Sequence, residues 1–479
     1  MNGYRSDWKV ERLGDFALHE KGTKPKRSQK NANDVFTCPY VDIQAFEKGI
    51  VKEYTDGHKC VLCEENDFLM VWDGSRSGYV GKAIKGALGS TLMKISFPGI
   101  ETDYAYYFLQ SKYLEINTRA KGTGTPHVDP GILWNYQFAI PPLPEQRAII
   151  AKLEQLFSEL DNGIACLKKA QEQLKVYRQA VLKQAFEGEL TKAWREQQTS
   201  LPSAQELLET IKAEREQAAK LQGKKLKPVI PLTQAELDDL PELPDGWEWK
   251  FLEDITLEIT DGDHQPPPKA IKGVPFITIS NIDKAKNTID FASSFYVSDQ
   301  YYSLLKEHRK PRKRDILYTV TGSFGIPVLI DFDKLFCFQR HIGLIRPAFH
   351  TISKWLYYLL QTNHVFIQAQ NAATGTAQKT VALNSLRKFL VPYCSPQEQS
   401  KIVQEIETRL SVCDNIESTI RESLEKAEAL RQSILKTAFE GKLLSEEELQ
   451  ITRNAQDWEP AEKLLERIRA EKRTARNKH

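Results

Sequence analysis

Leu182-Lys-Gln-Ala-Phe-Glu-Gly-Glu-Leu190 returns as Leu435-Lys-Thr-Ala-Phe-Glu-Gly-Lys-Leu443, a constant offset of 253 positions. Reading backwards from each copy, the same offset holds without insertion to Glu145-Gln146 and Glu398-Gln399. Ungapped self-similarity over such a length means one supersecondary unit used twice. Both copies have the pattern of helices. In the first, Leu153, Leu160, Leu167, Leu174 and Val181 recur every seven residues, with Phe157, Ile164, Ala170, Tyr177 and Ala185 at the intermediate steps. The second carries Ile406, Cys413, Ile420, Ala427 and Ile434 at the same places, joined by Leu410, Leu424 and Ala438. This is a heptad seam, with Gly188 and Gly441 standing where a glycine would end a helix. A rod from 145 to 190 would be roughly 69 Å long at 1.5 Å per residue, apolar on a narrow stripe only. It needs a partner stripe, and its own repeat is the nearest one, so the two rods are expected to pack antiparallel.

The chain of 479 residues is too long for one core and predicts about three domains. Its net charge of +2 excludes a general polycation, so a nucleic-acid surface would have to come from local clustering. Seven scattered cysteines, no signal peptide ahead of them and no apolar run near membrane-spanning length predict a soluble protein of the reducing cytoplasm.

Outside the rods the duplication continues. Trp8-x-Val10-x-x-Leu13-Gly-Asp15 is matched by Trp247-x-Trp249-x-x-Leu252-Glu-Asp254. Short β-branched and aromatic runs, Phe68 to Trp72 and Thr91 to Ile95, alternate with glycine turns and predict sheet, while 104–117 reads as helix. Lys313 to Leu317 with Gly322-Ser323-Phe324-Gly325 stands for Asn66 to Leu69 with Gly74-Ser75, and Ala373 to Thr376 stands for Gly122 to Thr125. A charged helix, Ala204 to Leu221, is echoed by the segment from Ala461; Lys224, Lys225 and Lys227 follow it in a solvated linker. The second rod's lead-in, Val391 to Gln397, reads as two residues longer than the first. A common skeleton with different loop contents is what two readers of two ligands would look like, although drift between duplicated domains gives the same pattern.

The Pro-Pro-Leu-Pro-Glu-Gln-Arg run at Pro141 to Arg147, the long helix, its Leu-Lys-x-Ala-Phe-Glu-Gly-x-Leu close and the repeated plan resemble the specificity subunit of a type I restriction-modification system, across essentially the whole chain. The resemblance implies a mixed α/β (α+β) fold: two target-recognition domains, each reading half of a split double-stranded DNA site, separated by two long antiparallel coiled-coil helices. It implies no catalysis in this chain, two methyltransferase subunits and motor-nuclease (restriction) subunits as partners, and S-adenosylmethionine, ATP and magnesium bound on those partners. The corresponding boundaries are a first recognition domain at 1–142, spacer helix 143–198, linker 199–245, second recognition domain 246–393, spacer helix 394–445 and a helical tail 446–479.

Direct searches for chemistry point the same way. Gly78 to Ala83 lacks the first glycine and the hydroxyl of a phosphate-binding loop, and no Asn/Asp-Pro-Pro-Phe/Tyr methyltransferase motif is present. Cys60-x-x-Cys63 with His58 has no second ligand pair, so free thiols rather than a metal are expected. Candidate DNA contacts lie in loops: Lys24, Lys26 and Arg27 in a basic segment with Lys21 and Lys30, then Ser75, Arg76, Tyr79, Thr123 and Thr125 in the first domain. The second offers His264 and Gln265, which resemble a recurrent loop of the family, with Ser323, Gln339, Arg340, His341, Thr376 and Lys379. Arg312 and Arg314, in the run Lys306 to Arg314 that includes Arg309, form a candidate phosphate track. A coiled-coil interaction scaffold without sequence-specific DNA binding is the alternative reading.

Overall fold

The computed structural model describes residues 5–122, 124–221, 231–238, 240–265, 267–376 and 378–476. Thr123 and the linker lysines Lys224, Lys225 and Lys227 lie outside the described residues. Both rods are single helices of 44 residues, Leu143–Phe186 and Pro396–Phe439, about 66 Å each at 1.5 Å per residue. Both end as the spacing predicts. Gly188 and Gly441 are left-handed at φ 78° and 74°. The Gly188 and Glu189 N–H groups donate back to Ala185 O and Gln184 O, and those of Gly441 and Lys442 to Ala438 O and Thr437 O. This is the Schellman arrangement, which satisfies carbonyls the helix leaves open.

The chain divides into two compact units, Met1–Lys168 with Arg421–His479, and Lys169–Ile420. Each contains one sheet domain, the first half of the rod that follows it, the last half of the other rod and the helix beyond that rod. In the first unit Leu153 and Phe157 share one apolar core with Leu435, Ala438 and Phe439. Arg431 there binds Asp161 and lies over the Phe157 ring at 4.6 Å, while Lys152 pairs with Glu448 at 2.9 Å. In the second unit Val181, Leu182 and Phe186 share a core with Ile402, Val403 and Ile406. Arg178 there meets Asp414 at 2.5 Å and Glu417 at 3.0 Å, and Arg195 meets Glu398 at 2.9 Å. Rising numbers on one partner face falling numbers on the other in each unit, so the helices are antiparallel.

The repeated motifs are explained by what they bury. Leu182, Ala185 and Phe186, like Leu435, Ala438 and Phe439, point into the domain cores. Phe439 packs at 5.2 Å from Tyr104 and 5.3 Å from Phe108, and Phe186 at 5.7 Å from Trp355. Burying such a ring stabilises by about 1.5–3 kcal/mol. Of the predicted seam, Leu153, Val181, Ile406, Cys413, Ile420 and Ala427 are buried, whereas Leu160, Leu167, Leu174 and Ile434 are half-buried.

The Glu-Gln pair locks each rod to its domain. Trp8 donates its indole N–H to Glu145 at 3.0 Å, with Arg5 at 3.3 Å; Trp247 donates to Glu398 at 2.8 Å, and Thr191 and Arg195 complete that carboxylate at 2.7 and 2.9 Å. The next residue staples the strand before the rod to a helix start. Gln146 donates to Pro141 O and accepts from the Glu101 N–H, and Gln399 donates to Cys394 O and accepts from the Ile352 N–H. The expected two extra residues ahead of the second rod are not there. Glu145 and Glu398 each stand five residues beyond the last residue of strands Gln137–Ile140 and Leu390–Tyr393.

Each domain opens and closes on a two-stranded antiparallel pair, Lys9–Arg12 with Gln137–Ile140 and Glu248–Phe251 with Leu390–Tyr393. Between these lies the same four-stranded antiparallel sheet. In the first domain its order is Leu18–Lys21, Leu92–Ser96, Phe68–Val71, Val80–Lys82. In the second it is Thr256–Asp261, Ile342–Pro347, Ile316–Thr319, Pro327–Leu329. Phe68–Val71 and Ile316–Thr319 are buried on both faces, as their unbroken apolar runs require. Phe68 and Met70 enter one core and Leu69 and Val71 another; Ile316 and Tyr318 likewise part from Leu317. Two residues before each of these two strands the backbone turns left-handed, at Asn66 (φ 69°) and Arg314 (φ 79°). The helix after each rod completes a domain core, Ile211 of Ala204–Leu221 in the second unit and Ile468 of Ala461–Arg476 in the first. Among the described residues no helix is long and apolar enough to cross a membrane.

Candidate nucleic-acid interface

Antiparallel pairing decides which loops meet. In the second domain Asp261 pairs with Gly343 and Thr319 with Ile342, so the ends of two strands and the start of the strand between them lie at one edge of the sheet. That edge gathers 261–265, 320–325 and 339–341. The loop of Thr376 and Lys379 joins them, because Gly322 N–H donates to Lys379 O at 2.8 Å and Thr321 bridges to Thr380. His264, Gln265, Ser323, Arg340, Thr376 and Lys379 are exposed there, with Gln339 and His341 half-buried. Burial, with the Arg340 charge beside it, holds the His341 imidazole below its ordinary pKa. His264 meets Asp261 at 2.8 Å, and Lys284, which sequence reasoning missed, donates to Ser323 Oγ at 2.5 Å.

The first domain repeats the arrangement. Lys21 pairs across with Met93 and Val71 with Leu92, which brings 21–24, 72–79 and 89–91 to the corresponding edge. The Gly122–Thr125 loop joins through Gly74 N–H donating to Pro126 O at 2.7 Å and Asp73 bridging to His127. Lys24, Ser75 and Thr125 are exposed at this edge, and Lys21 is held by Asp73 at 2.8 Å. Lys26 is exposed a few residues on, whereas Arg27 turns to Asp56 at 3.8 Å and to the Phe36 ring at 5.5 Å. Arg76 is engaged inside its own domain, 2.7 Å from Glu47 and 4.0 Å over the half-buried Tyr79 ring. The structure also brings Asp73, His127 and Lys121, whose N–H donates to His127 O at 2.9 Å, to this edge, and no local signal marked them: their place depends on isolated bridges between distant segments.

The phosphate track is divided. Arg312 and Arg314 precede the strand Ile316–Thr319, whose far end carries Ser323, so a strand of about 13 Å separates them from the loop edge. Arg312 pairs with Glu307 at 3.4 Å, and the Arg314 N–H donates to Ile330 O at 2.7 Å. Lys310 and Lys313 face Glu307 and Asp333. Arg309 alone of this run reaches the loop edge, where it meets Asp261 at 3.3 Å.

Cys63, from the Cys-x-x-Cys, donates to the carbonyls of Ile84 and Gly86 at 3.3 and 3.4 Å, and Cys60 to His58 O at 3.8 Å. Among the described residues no three His, Cys, Asp or Glu side chains are grouped to hold a metal ion. Both edges carry hydrogen-bonding side chains on loops that are joined to a sheet.

Residues 5–169 and 244–426 each match the family model of the type I restriction modification DNA specificity domain. The chain belongs to this family. It carries two specificity domains, one for each sheet domain, and such subunits supply DNA recognition rather than catalysis. The chain is 25% identical over 458 residues to the type I restriction enzyme MjaVIII specificity subunit of Methanocaldococcus jannaschii, covering 92% of this chain and 95% of that one. With the EcoBI specificity subunit of Escherichia coli it shares 25% identity over 443 residues, 91% of this chain and 86% of the relative. In three dimensions it resembles a chain from a structure of complex assembly and conformational transition in a type I restriction-modification system, with TM-score 0.64, 18% identity and coverage of 92% and 99%. The likeness in fold thus extends over nearly the whole length.

Proposed function

We propose that each sheet domain reads one half of a bipartite double-stranded DNA site through its loop edge, and that the paired rods fix the distance between the halves. The observation that carries this reading is the recurrence of the same four-stranded sheet with differing side chains on the same loops. Lys24, Ser75 and Thr125 occupy one edge; His264, Gln265, Ser323, Gln339, Arg340, His341, Thr376 and Lys379 occupy the other. Scaffold kept and loop chemistry changed is the expectation for two half-sites of different sequence. The half-buried Leu160, Leu167 and Leu174, with exposed Val176 and Tyr177 on the same rod, favour further helices docking there. In this reading two methyltransferase subunits occupy the rods and a motor-nuclease subunit joins through them. S-adenosylmethionine, ATP and magnesium are bound on those partners, and the complex works in the cytoplasm.

The test is a binding assay of the chain assembled with its methyltransferase, on selected and random duplexes over a range of salt. Selected DNA should bind at least roughly a thousandfold more tightly. A coiled-coil scaffold would show no such ratio. Mapping methylated bases across the host genome would then give both half-sites and their spacing.

A further inference from the structure

Arg309 lies in the basic run that reads as a phosphate track, yet its surroundings are those of a brace. It ends the one-turn 3-10 helix Glu307–Arg309, and its guanidinium lies between two carboxylates, Nη2 at 3.3 Å from Asp261 and Nη1 at 3.8 Å from Asp263. Its Nε is buried and meets no hydrogen-bond acceptor. One cation between two carboxylates leaves a local balance of −1, a poor start for holding a phosphate.

The two aspartates belong to the loop that carries His264 and Gln265. Asp263 also accepts from the Tyr301 hydroxyl, and Asp261 meets the His264 ring. Through its backbone the same loop is stitched to the strip that carries Gln339 and Arg340: Asp263 N–H donates to Phe338 O at 3.0 Å, and Arg340 N–H donates to Asp263 O at 3.0 Å. The approach is so close that a Cβ at Gly262 would meet Phe338 O at 1.9 Å. A displacement of 261–263 therefore displaces 339–340.

We infer that Arg309 is a positioning residue for sequence reading by the second domain: by bridging Asp261 and Asp263 it fixes, from behind, the edge on which His264, Gln265, Gln339 and Arg340 stand. This rests on the half-site reading given above. Bidentate base contacts depend on register within tenths of an ångström, whereas a phosphate contact depends on charge and tolerates displacement.

The experiment uses the full chain assembled with its methyltransferase and compares Arg309→Gln, Arg309→Lys and Asp263→Asn with the parent. Duplexes carry one altered base pair in either half, and the slope of log affinity against log salt is measured for each protein. For Arg309→Gln, discrimination in the second half should fall roughly tenfold, the size of one lost bidentate contact, with the first half and the salt slope unchanged. Asp263→Asn should reproduce that pattern, and Arg309→Lys, a point charge without the fork, should fall between. A slope shallower by about 0.9 with discrimination kept would make Arg309 a phosphate contact and overturn the inference. So would unchanged discrimination in Arg309→Gln and Arg309→Lys alike. If Arg309→Gln does not fold, Arg309→Lys decides by the same two readouts. A parent complex that discriminates in the first half only would instead defeat the half-site reading itself.

Discussion

The indole N–H of Trp247 points at Glu398 across 2.8 Å, joining the residue just before the first strand of the second domain to the first turn of its rod. Trp8 and Glu145 repeat the pair in the first unit, but the third partner differs. Glu398 is completed by Arg195 and Thr191 from beyond the end of the other rod, Glu145 by Arg5 from the chain's own start. Removing Glu398 leaves Arg195 near-buried without its anion, so Glu398→Ala should destabilise the second unit by about 3 kcal/mol in chemical denaturation followed by tryptophan fluorescence.

Glu145 supplies a pH dependence. Burial raises its carboxyl above the ordinary value, with Arg5 and the Trp8 N–H acting in the opposite sense. A folded-state pKa above the unfolded one favours the folded state fully below the unfolded pKa, and that contribution is lost as pH rises through the folded pKa. Glu145→Gln should remove this descending component between the unfolded and the raised value. Melting temperature against pH for the parent and Glu145→Gln would reveal it as a stability of the parent that declines, relative to the variant, as pH rises above the ordinary glutamate range.

Phe439 and Phe186 make a matched pair of core tests. Each is the aromatic of the repeated exit motif, packed against Tyr104 and Phe108 or against Trp355. Truncation to Ala should cost about 3–5 kcal/mol in either case. In hydrogen exchange Phe439→Ala should deprotect the first unit and Phe186→Ala the second.

Gln339 and Arg340 stand at the loop edge, beside the strip that Asp263 holds. Replacing both by Ala should reduce discrimination in one half-site by ~1–3 kcal/mol per lost bidentate contact, leaving the other half intact. Arg314, at φ 79° and beyond the opposite end of the adjoining strand, should behave differently. Arg314→Gly relieves a left-handed position that costs a side chain about 1 kcal/mol, and so should raise the melting temperature without changing sequence preference. Selection experiments on degenerate duplexes would separate the two outcomes.

Thiol reactivity should rank the cysteines. Burial pushes Cys63 up to about 11 and Cys337 up to about 12, leaving Cys63 about one part in a thousand thiolate at pH 8. Cys166 is exposed on the first rod. Alkylation read by mass spectrometry should label Cys166 first and those two only on unfolding.

The rods, their ends and the duplicated sheet were legible because each rests on periodicity, local backbone chemistry or an apolar run: a heptad, a left-handed glycine, the short stretch Phe68–Val71. The reading edges were legible only as loops. That Arg76 faces Glu47, or that Arg309 lies between Asp261 and Asp263, depends on partners 29 to 48 residues away, beyond any local rule, and one arginine in a basic run looks like the next. The lead-in to the second rod reads as longer in sequence, whereas the distance from strand end to glutamate is the same in both copies.

The helix Ala461–Arg476 completes the core around Phe16, Tyr104 and Phe138, which gives the chain an order of birth. On the ribosome the first domain emerges first, but its unit closes only with residues from Arg421 onward. The whole of Lys169–Ile420 is made in between, and at about 5–20 residues per second that interval is roughly 10–50 s. Through it Leu153 and Phe157 wait without Leu435 and Phe439, while the second unit, continuous in sequence, can fold as it appears. The part of the molecule synthesised first is therefore the part finished last, and a nascent chain stalled before Arg421 would be the form most in need of a chaperone.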